Sequence, residues 1–255
     1  MIVVAGGTGR LGRLLVRGLA ARGLDVRVLT RNPARAAHLG ESATEVLTCD
    51  VRRRERLASA LEGATTVVSA IQGFGPGRGT PASVDRDGNV NLIDAAEAVG
   101  ADVVLMSLVG AAPDHPMELF RAKYAAEEHL RSSSVSWTIV RATLFLELWA
   151  EIVSKGIVFG RGDNPINMVS VRDVADAVER AVVDPELRGQ VLDVGGPANL
   201  TFNELAAATK LSTGRPSKVR HLPRTLLRIL SPFTRQARAA LAMDTIDLTF
   251  VPRNG

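Results

Sequence analysis

Near its start the chain carries Gly6-Gly7-Thr8-Gly9-Arg10-Leu11-Gly12, whose residue types and spacing suit the pyrophosphate of a dinucleotide. Glycines permit a tight turn and a close backbone approach, and the unpaired N–H groups and positive dipole end of the following helix face the phosphate charge. The apolar run Met1-Ile2-Val3-Val4-Ala5 stands directly before the motif and a helical stretch from Arg10 to Arg22 follows, so strand, turn and helix come in the required order. The next strand, Asp25 to Thr30, ends in Arg31 rather than in a carboxylate. An acid there would bind the ribose 2′-hydroxyl of NAD, whereas an arginine accommodates the 2′-phosphate of NADP through a contact of about 1.5–3 kcal/mol. NADP(H) is therefore the expected cofactor. A third strand, Val46 to Val51, brings Asp50 to a position suited to the adenine amino group.

These residues require a sheet whose strand ends lie side by side. Apolar runs at Thr66 to Ala70, Asp102 to Leu108 and Ser136 to Arg141 alternate with helical patterns at Val84 to Val99 and Met117 to Ser132. Strands that are apolar throughout are expected where helices cover both faces of a parallel sheet, which predicts an α/β chain with a doubly wound parallel sheet, a Rossmann fold. Gly73 to Pro81 is too rich in Gly and Pro for either element and reads as a mobile loop leaving the fourth strand on the ligand side of the sheet. Beyond Arg141 the elements shorten. Helices are expected at Phe145 to Lys155, Val171 to Val183 and Thr201 to Thr213, the last with Thr201 and Asn203 as candidate caps. Short strands are expected at Ile157 to Gly162, Ile166 to Ser170 and Gln190 to Val194. The whole reads as one NAD(P)-binding domain over 1–255, with a small C-terminal substrate lobe built from about 142–170 and 195–255.

At 255 residues and 46% hydrophobic content the chain can bury a large core. No run approaches the ~18 uninterrupted apolar residues of a membrane span, and the first strand leaves no room for a cleaved signal, so a soluble cytoplasmic protein is expected. Cys49 is the only cysteine, which excludes an internal disulfide, and no Cys/His cluster offers a metal site. The net charge of +4 is uneven: Arg215 to Gly255 carries eight Lys/Arg against two acids, leaving the rest slightly acidic. No helix-turn-helix, finger or RNA-binding signature accompanies these charges, and no nucleic-acid partner is expected. Leu222 to Met243 places apolar residues at 222, 226, 229, 230, 233, 237 and 241 among arginines at 224, 228, 235 and 238, in a pattern broken by Pro232. A helix packed on its own protein is the plain reading; peripheral contact of 222–243 with a membrane surface or a partner is the alternative.

From Met1 to roughly Thr209 the chain resembles the NmrA-like branch of the atypical short-chain dehydrogenase/reductase superfamily. The residues that carry the likeness are Gly6 to Gly12, Thr30-Arg31-Asn32, Asp50-Val51, Ser107 after Val103-Val104-Leu105-Met106, Lys123 with Glu127, Thr138-Ile139-Val140-Arg141, Val169 to Ala175, and Gly195-Gly196-Pro197. The resemblance implies that Gly6, Thr8, Gly9, Arg10, Leu11 and Gly12 hold pyrophosphate and that Arg31 holds the 2′-phosphate. It assigns Asp50 and Val51 to the adenine, Ala70, Ile71 and Gln72 to the adenosine ribose side, and Lys123 to the nicotinamide ribose. The chain also departs from the wider superfamily, whose reductases pair a tyrosine with a lysine four residues later: the residue four before Lys123 is Leu119. Tyr124, the only tyrosine, is adjacent to the lysine and turned about 100° from it around a helix. The family's Arg-Pro dipeptide is Arg141-Ala142 here.

Two functions fit this pattern. The first is an NADP(H)-dependent oxidoreductase acting on a small carbonyl, enone, imine or quinone, with Lys123 positioning the ribose and supplying a proton through water. Ser107 would then hold or polarise the acceptor oxygen, or else would merely satisfy backbone at a strand end. The second is a non-catalytic NADP(H)-binding regulator, which the missing tyrosine favours. A redox-neutral isomerase or cyclase that uses the dinucleotide as scaffold is a third class.

Overall fold

The computed structural model describes residues 1–251 apart from 75, 76, 78 and 214–218; the side chains of 210–213 also lie outside the description. The chain opens with β1 (Ile2–Ala5), α1 (Arg10–Ala21), β2 (Val26–Thr30), β3 (Glu45–Thr48), α2 (Leu57–Ala60) and β4 (Thr66–Ser69). It continues with α3 (Asp87–Val99), β5 (Asp102–Leu108), α4 (Glu118–Ser132) and β6 (Trp137–Ala142). Next come β7 (Leu144–Phe145), α5 (Leu146–Ser154), β8 (Ile157–Phe159) and β9 (Ile166–Val169), then α6 (Val171–Val183) and β10 (Gln190–Val194). The last elements are β11 (Asn199–Leu200), α7 (Phe202–Thr213), β12 (Arg220–Leu222), α8 (Arg224–Leu230) and α9 (Arg235–Met243). Two compact units result, Met1–Arg141 with Arg172–Asp193, and Ala142–Val171 with Val194–Gly255.

The first unit is built on a seven-stranded sheet of order β3-β2-β1-β4-β5-β6-β10. Its central pairs, β2 on β3, β1 on β2, β1 on β4 and β4 on β5, are all parallel. The chain reverses winding direction between β1 and β4, which is the place where an open α/β sheet leaves a crevice for a ligand. Strands β1 and β4 are buried along their whole length, which explains why they read as unbroken apolar runs. Val3, Leu29, Leu57, Leu61, Leu92, Leu105 and Ile139 form the core on one sheet face with helices α2, α3 and α4 against it. Each such side chain contributes about 1.5–3 kcal/mol by leaving water.

The second unit holds the smaller sheets β11-β9-β7 and β12-β8. Helix α7 begins with a reciprocal cap: Glu204 N–H donates to Thr201 Oγ1 at 3.1 Å and Thr201 N–H donates to the Glu204 carboxylate at 2.8 Å. Asn203, the other candidate cap, instead donates to Arg161 O and Asp163 Oδ1.

Local expectations are corrected at three places. The third strand stops at Thr48, so Cys49, Asp50 and Val51 lie beyond it. Pro81 to Arg86 forms a wide helical turn capped by Thr80 and Ser83, which places Pro81 inside a helix rather than at the end of a loop. Of the Gly73 to Pro81 stretch, Gly75, Pro76 and Arg78 lie outside the described residues, while Gly73 N–H is fixed at 2.8 Å on Asp85 Oδ2. Finally, the tail forms two helices with a turn at Ser231 to Thr234, and its inward face is Leu227, Ala237 and Ala240 packed with Phe159, Leu222 and Leu241. Leu226, Ile229, Leu230 and Phe233, expected in the packed stripe, are exposed. Among the described residues no helix is long and apolar enough to cross a membrane, and no group of His, Cys, Asp and Glu is arranged for a metal.

Candidate functional site

The glycine turn sits between β1 and α1 at the crevice. Gly6 has φ +84, and a Cβ on it would lie 2.6 Å from Ala70 O, so the turn needs glycine twice over, for its backbone angle and for its approach to the end of β4. A Cβ on Gly12 would overlap Gly6 O and Gly7 Cα, because α1 packs directly on the turn. Above Gly9 the space is open except for Gly6 O at 3.1 Å. Gly9 N–H closes the turn on Gly6 O at 2.9 Å, and no side chain caps α1. The first turn of α1 therefore turns its positive end towards the crevice.

The neighbours of this turn converge on the same crevice. Thr8 is buried, with its hydroxyl 3.2 Å from that of Thr30 at the end of β2. Just beyond, Arg31 is exposed and makes no side-chain hydrogen bond or ion pair with any described residue. Arg13, Arg17 and Arg35 surround His38, whose pKa is lowered first by desolvation and then by these three guanidiniums. The surface around His38 is thus electropositive. Asp50 is engaged: Arg52 donates from Nε at 2.9 Å, from Nη2 at 2.5 Å and from its backbone N–H at 3.1 Å. The Arg52 hydrogen bonds hold the Asp50 carboxyl below its usual range, and an adenine amino group must share its oxygens with that arginine. Val51 is buried against Gly88, and its carbonyl accepts from Asn91 Nδ2 at 3.0 Å. Ala70 and Ile71 are half-buried and Gln72 exposed on the segment leaving β4.

Lys123, on α4, is 5% exposed. Its ammonium donates to Ile71 O at 3.1 Å and forms an ion pair of 3.1 Å with Asp85 Oδ1. That contact carries the lysine to the segment leaving β4, beside the glycine turn. Asp85 is fully buried, and desolvation pushes its carboxyl above the usual range against the pull of Lys123. Asn89 donates to Asp85 O at 2.7 Å and receives the Ser69 hydroxyl, so the aspartate is locked to the end of β4. One ammonium proton is used on Ile71 O, while Asp85 Oδ1 lies at ion-pair distance without accepting a hydrogen bond.

Ser107 occupies a different network. Its hydroxyl donates at 2.5 Å to Glu127, a fully buried carboxylate one turn beyond Lys123. Glu127 also accepts from Arg131 Nη2 at 3.0 Å and from Arg141 Nε at 2.9 Å and Nη2 at 2.5 Å. With its single proton committed to Glu127, Ser107 has none to polarise an acceptor oxygen; it helps pin α4 to β5 and β6. Leu119, at the place of the superfamily tyrosine, is buried and apolar.

Sequence reasoning gave no role to Asp85, Glu127 or His115. His115, between β5 and α4, stacks on Phe120 with ring centroids 3.9 Å apart. Its Nδ1 accepts the Met117 N–H at 3.1 Å, and its pKa is lowered, chiefly by desolvation. The neutral ring then carries its proton on Nε2, a donor at the carboxyl end of the sheet. Asp85 and Asn89 do share a helical face by their spacing, but nothing in the sequence pairs Asp85 with a lysine almost forty residues away.

Residues 6–185 match a family model described as NAD(P)H-binding. The chain is 30% identical over 233 residues to an NAD(P)H azoreductase of Xenophilus azovorans, covering 89% of this chain and 78% of that one. It is 28% identical over 241 residues to the photosystem II assembly factor Ycf39 of Synechocystis, covering 92% of this chain and 74% of the other. Its fold superimposes with a TM-score of 0.76 and 24% identity on an NADPH-dependent quinone oxidoreductase from Escherichia coli solved with NADPH, over 96% of this chain and 87% of that one. With residues 6–185 matched, the chain belongs to the NAD(P)H-binding family and binds NADP(H).

Proposed function

We propose that this protein is an NADP(H)-dependent oxidoreductase that reduces a small carbonyl, enone, imine or quinone. The observation that carries the reading is the buried Lys123 ammonium, paired with Asp85 and bonded to Ile71 O beside the glycine turn. Arg31, exposed and making no hydrogen bond or ion pair among the described residues, takes the 2′-phosphate and selects NADP(H) over NAD(H). A nicotinamide dinucleotide held there would supply a hydride to the acceptor. Lys123 holds the nicotinamide ribose through an N–H and, as an ammonium at Nζ, is the proton source for the developing alkoxide through one water. Asp85 aims the ammonium before transfer. Holding an acceptor against the ring supplies much of the acceleration, so the absent tyrosine slows the reaction without abolishing it.

The test is NADPH oxidation with a panel of quinones, enones, aldehydes and an azo compound. Saturable turnover with at least one acceptor is expected, and Lys123→Ala should lower it by about 10²–10⁴-fold. Tyr124→Phe should change little. Tight NADPH binding without turnover on any acceptor would sink the enzyme reading.

A second reading, a non-catalytic NADP(H)-binding regulator, is favoured by two observations. Ser107 spends its proton on Glu127, and an apolar Leu119 stands where the acid would be. The likeness to an assembly factor points the same way.

A further inference from the structure

The two tail helices turn their small inner face to their own unit and leave an apolar ridge outside. Phe233, in the turn between them, is 83% exposed, Ile229 64%, Leu226 41% and Leu230 39%. These four recur at the 3-, 4- and 7-residue spacing of one face, so they form a single ridge along α8 that ends in an aromatic ring at the turn. Exposed apolar residues are ordinary when scattered, but a contiguous ridge of large ones is not. Within the tail helices themselves the charges have one sign. Arg228, Arg235 and Arg238 flank it, all exposed. No acid occurs between Glu204 and Asp244. Asp244 itself is 3% exposed and consumed by Arg224 at 3.0 Å and by the Arg161 and Gly162 N–H groups, so it brings no negative charge to the surface.

We propose that this face docks the protein on an anionic bilayer surface, with Leu226, Ile229, Leu230 and Phe233 entering the boundary between headgroups and acyl chains and the three arginines among the phosphates. An acidic protein partner would satisfy the arginines, but it would need a groove to receive a projecting turn tipped by a phenyl ring. A lipid interface receives such a ridge without one. An apolar helix face sinks about 5–10 Å at such a boundary, which a seven-residue helix lying flat can reach. The dinucleotide seat lies in the other unit, so the lipid contact and the reductase reading stand or fall separately.

The test is co-sedimentation of the full chain with vesicles of phosphatidylcholine mixed with phosphatidylglycerol, against vesicles of phosphatidylcholine alone. Binding is expected only with the anionic vesicles and should weaken as salt is added. Phe233→Glu should reduce it at least about tenfold, and Arg228→Gln roughly fivefold. Both positions are exposed, so melting temperature and NADPH affinity should match those of the unaltered chain, which separates lost docking from lost folding. Absence of binding to the anionic vesicles overturns the proposal, as does equal binding to both kinds. So does a concentration-dependent dimer that Phe233→Glu dissolves while lipid binding is absent, since a second copy would then be the occupant.

Discussion

Replacing Glu127 by glutamine would measure what holds the lysine-bearing helix to the sheet. The substitution keeps the shape and deletes one charge. The carboxylate receives four donors, from Ser107, Arg131 and twice from Arg141, and it is fully buried. An amide offers one acceptor oxygen, so its NH₂ must face at least one guanidinium, donor against donor. Two charge-assisted bonds lost or reversed at about 1.5–3 kcal/mol each put the cost near 3–5 kcal/mol, the range found when half of a buried ion pair is removed. The arginine side chains are 30% and 22% exposed and can rehydrate in part, which favours the lower end. At about 2–4 °C per kcal/mol for a chain of this size, roughly 3 kcal/mol appears as a fall of about 6–12 °C in Tm. Chemical denaturation with an unchanged m-value would confirm a change in stability alone. Ser107→Ala removes only one of the four donors and should cost about 1–2 kcal/mol, with NADPH turnover nearly intact. A loss under about 1 kcal/mol for Glu127→Gln, or a collapse of turnover in a stable Ser107→Ala protein, would refute the assignment of this network to helix anchoring.

Arg31→Ala should weaken NADPH binding by about 10- to 150-fold and leave NADH nearly unchanged, read by calorimetric titration of both; an unaltered preference removes Arg31 from the 2′-phosphate site. Gly9→Val and Gly12→Ala should separate binding from folding: the first fills the open space above the turn and should cost NADPH at least about tenfold in affinity at an unchanged Tm, while the second overlaps Gly6 O and should lower both. Because Arg52 holds the Asp50 carboxyl below its usual range, this pair contributes stability above the ordinary aspartate pKa that is lost as pH falls through the lower folded value. Both side chains are partly exposed, so Arg52→Ala should cost at most about 1 kcal/mol at neutral pH and nothing in acid, as thermal melts across that range would show.

The nucleotide half of this site was legible because its chemistry is local. Gly6 to Gly12 and Arg31 announce themselves by spacing within one strand-turn-helix-strand unit, and the buried strands announce themselves as apolar runs. The lysine half was legible only through resemblance. Lys123 reads as a solvated residue until β4 and the turn Pro81 to Arg86 bring Asp85 within 3.1 Å, and that contact depends on the order of strands in the sheet. Asp85 was hidden further by the wide turn, whose period differs from that of an α-helix. The tail misled for a related reason. Its seven apolar positions have a helical period, but Ala237 and Ala240 pack inward with Leu227, and the larger side chains at 226, 229, 230 and 233 face water. Hydrophobicity marks a stripe without saying which side of it meets the protein.

Asp85 has two oxygens and two clients: Oδ2 takes the N–H of Gly73, where the chain departs from β4, and Oδ1 faces the ammonium of Lys123. Gly73 and the lysine are therefore joined through one buried carboxylate. A ligand that shifts Gly73 changes the charge balance felt at Nζ, and a ligand gripped by Nζ changes the hold on Gly73, by the same free energy in each direction. Holding Gly73 and holding Lys123 are, at this residue, a single thermodynamic event.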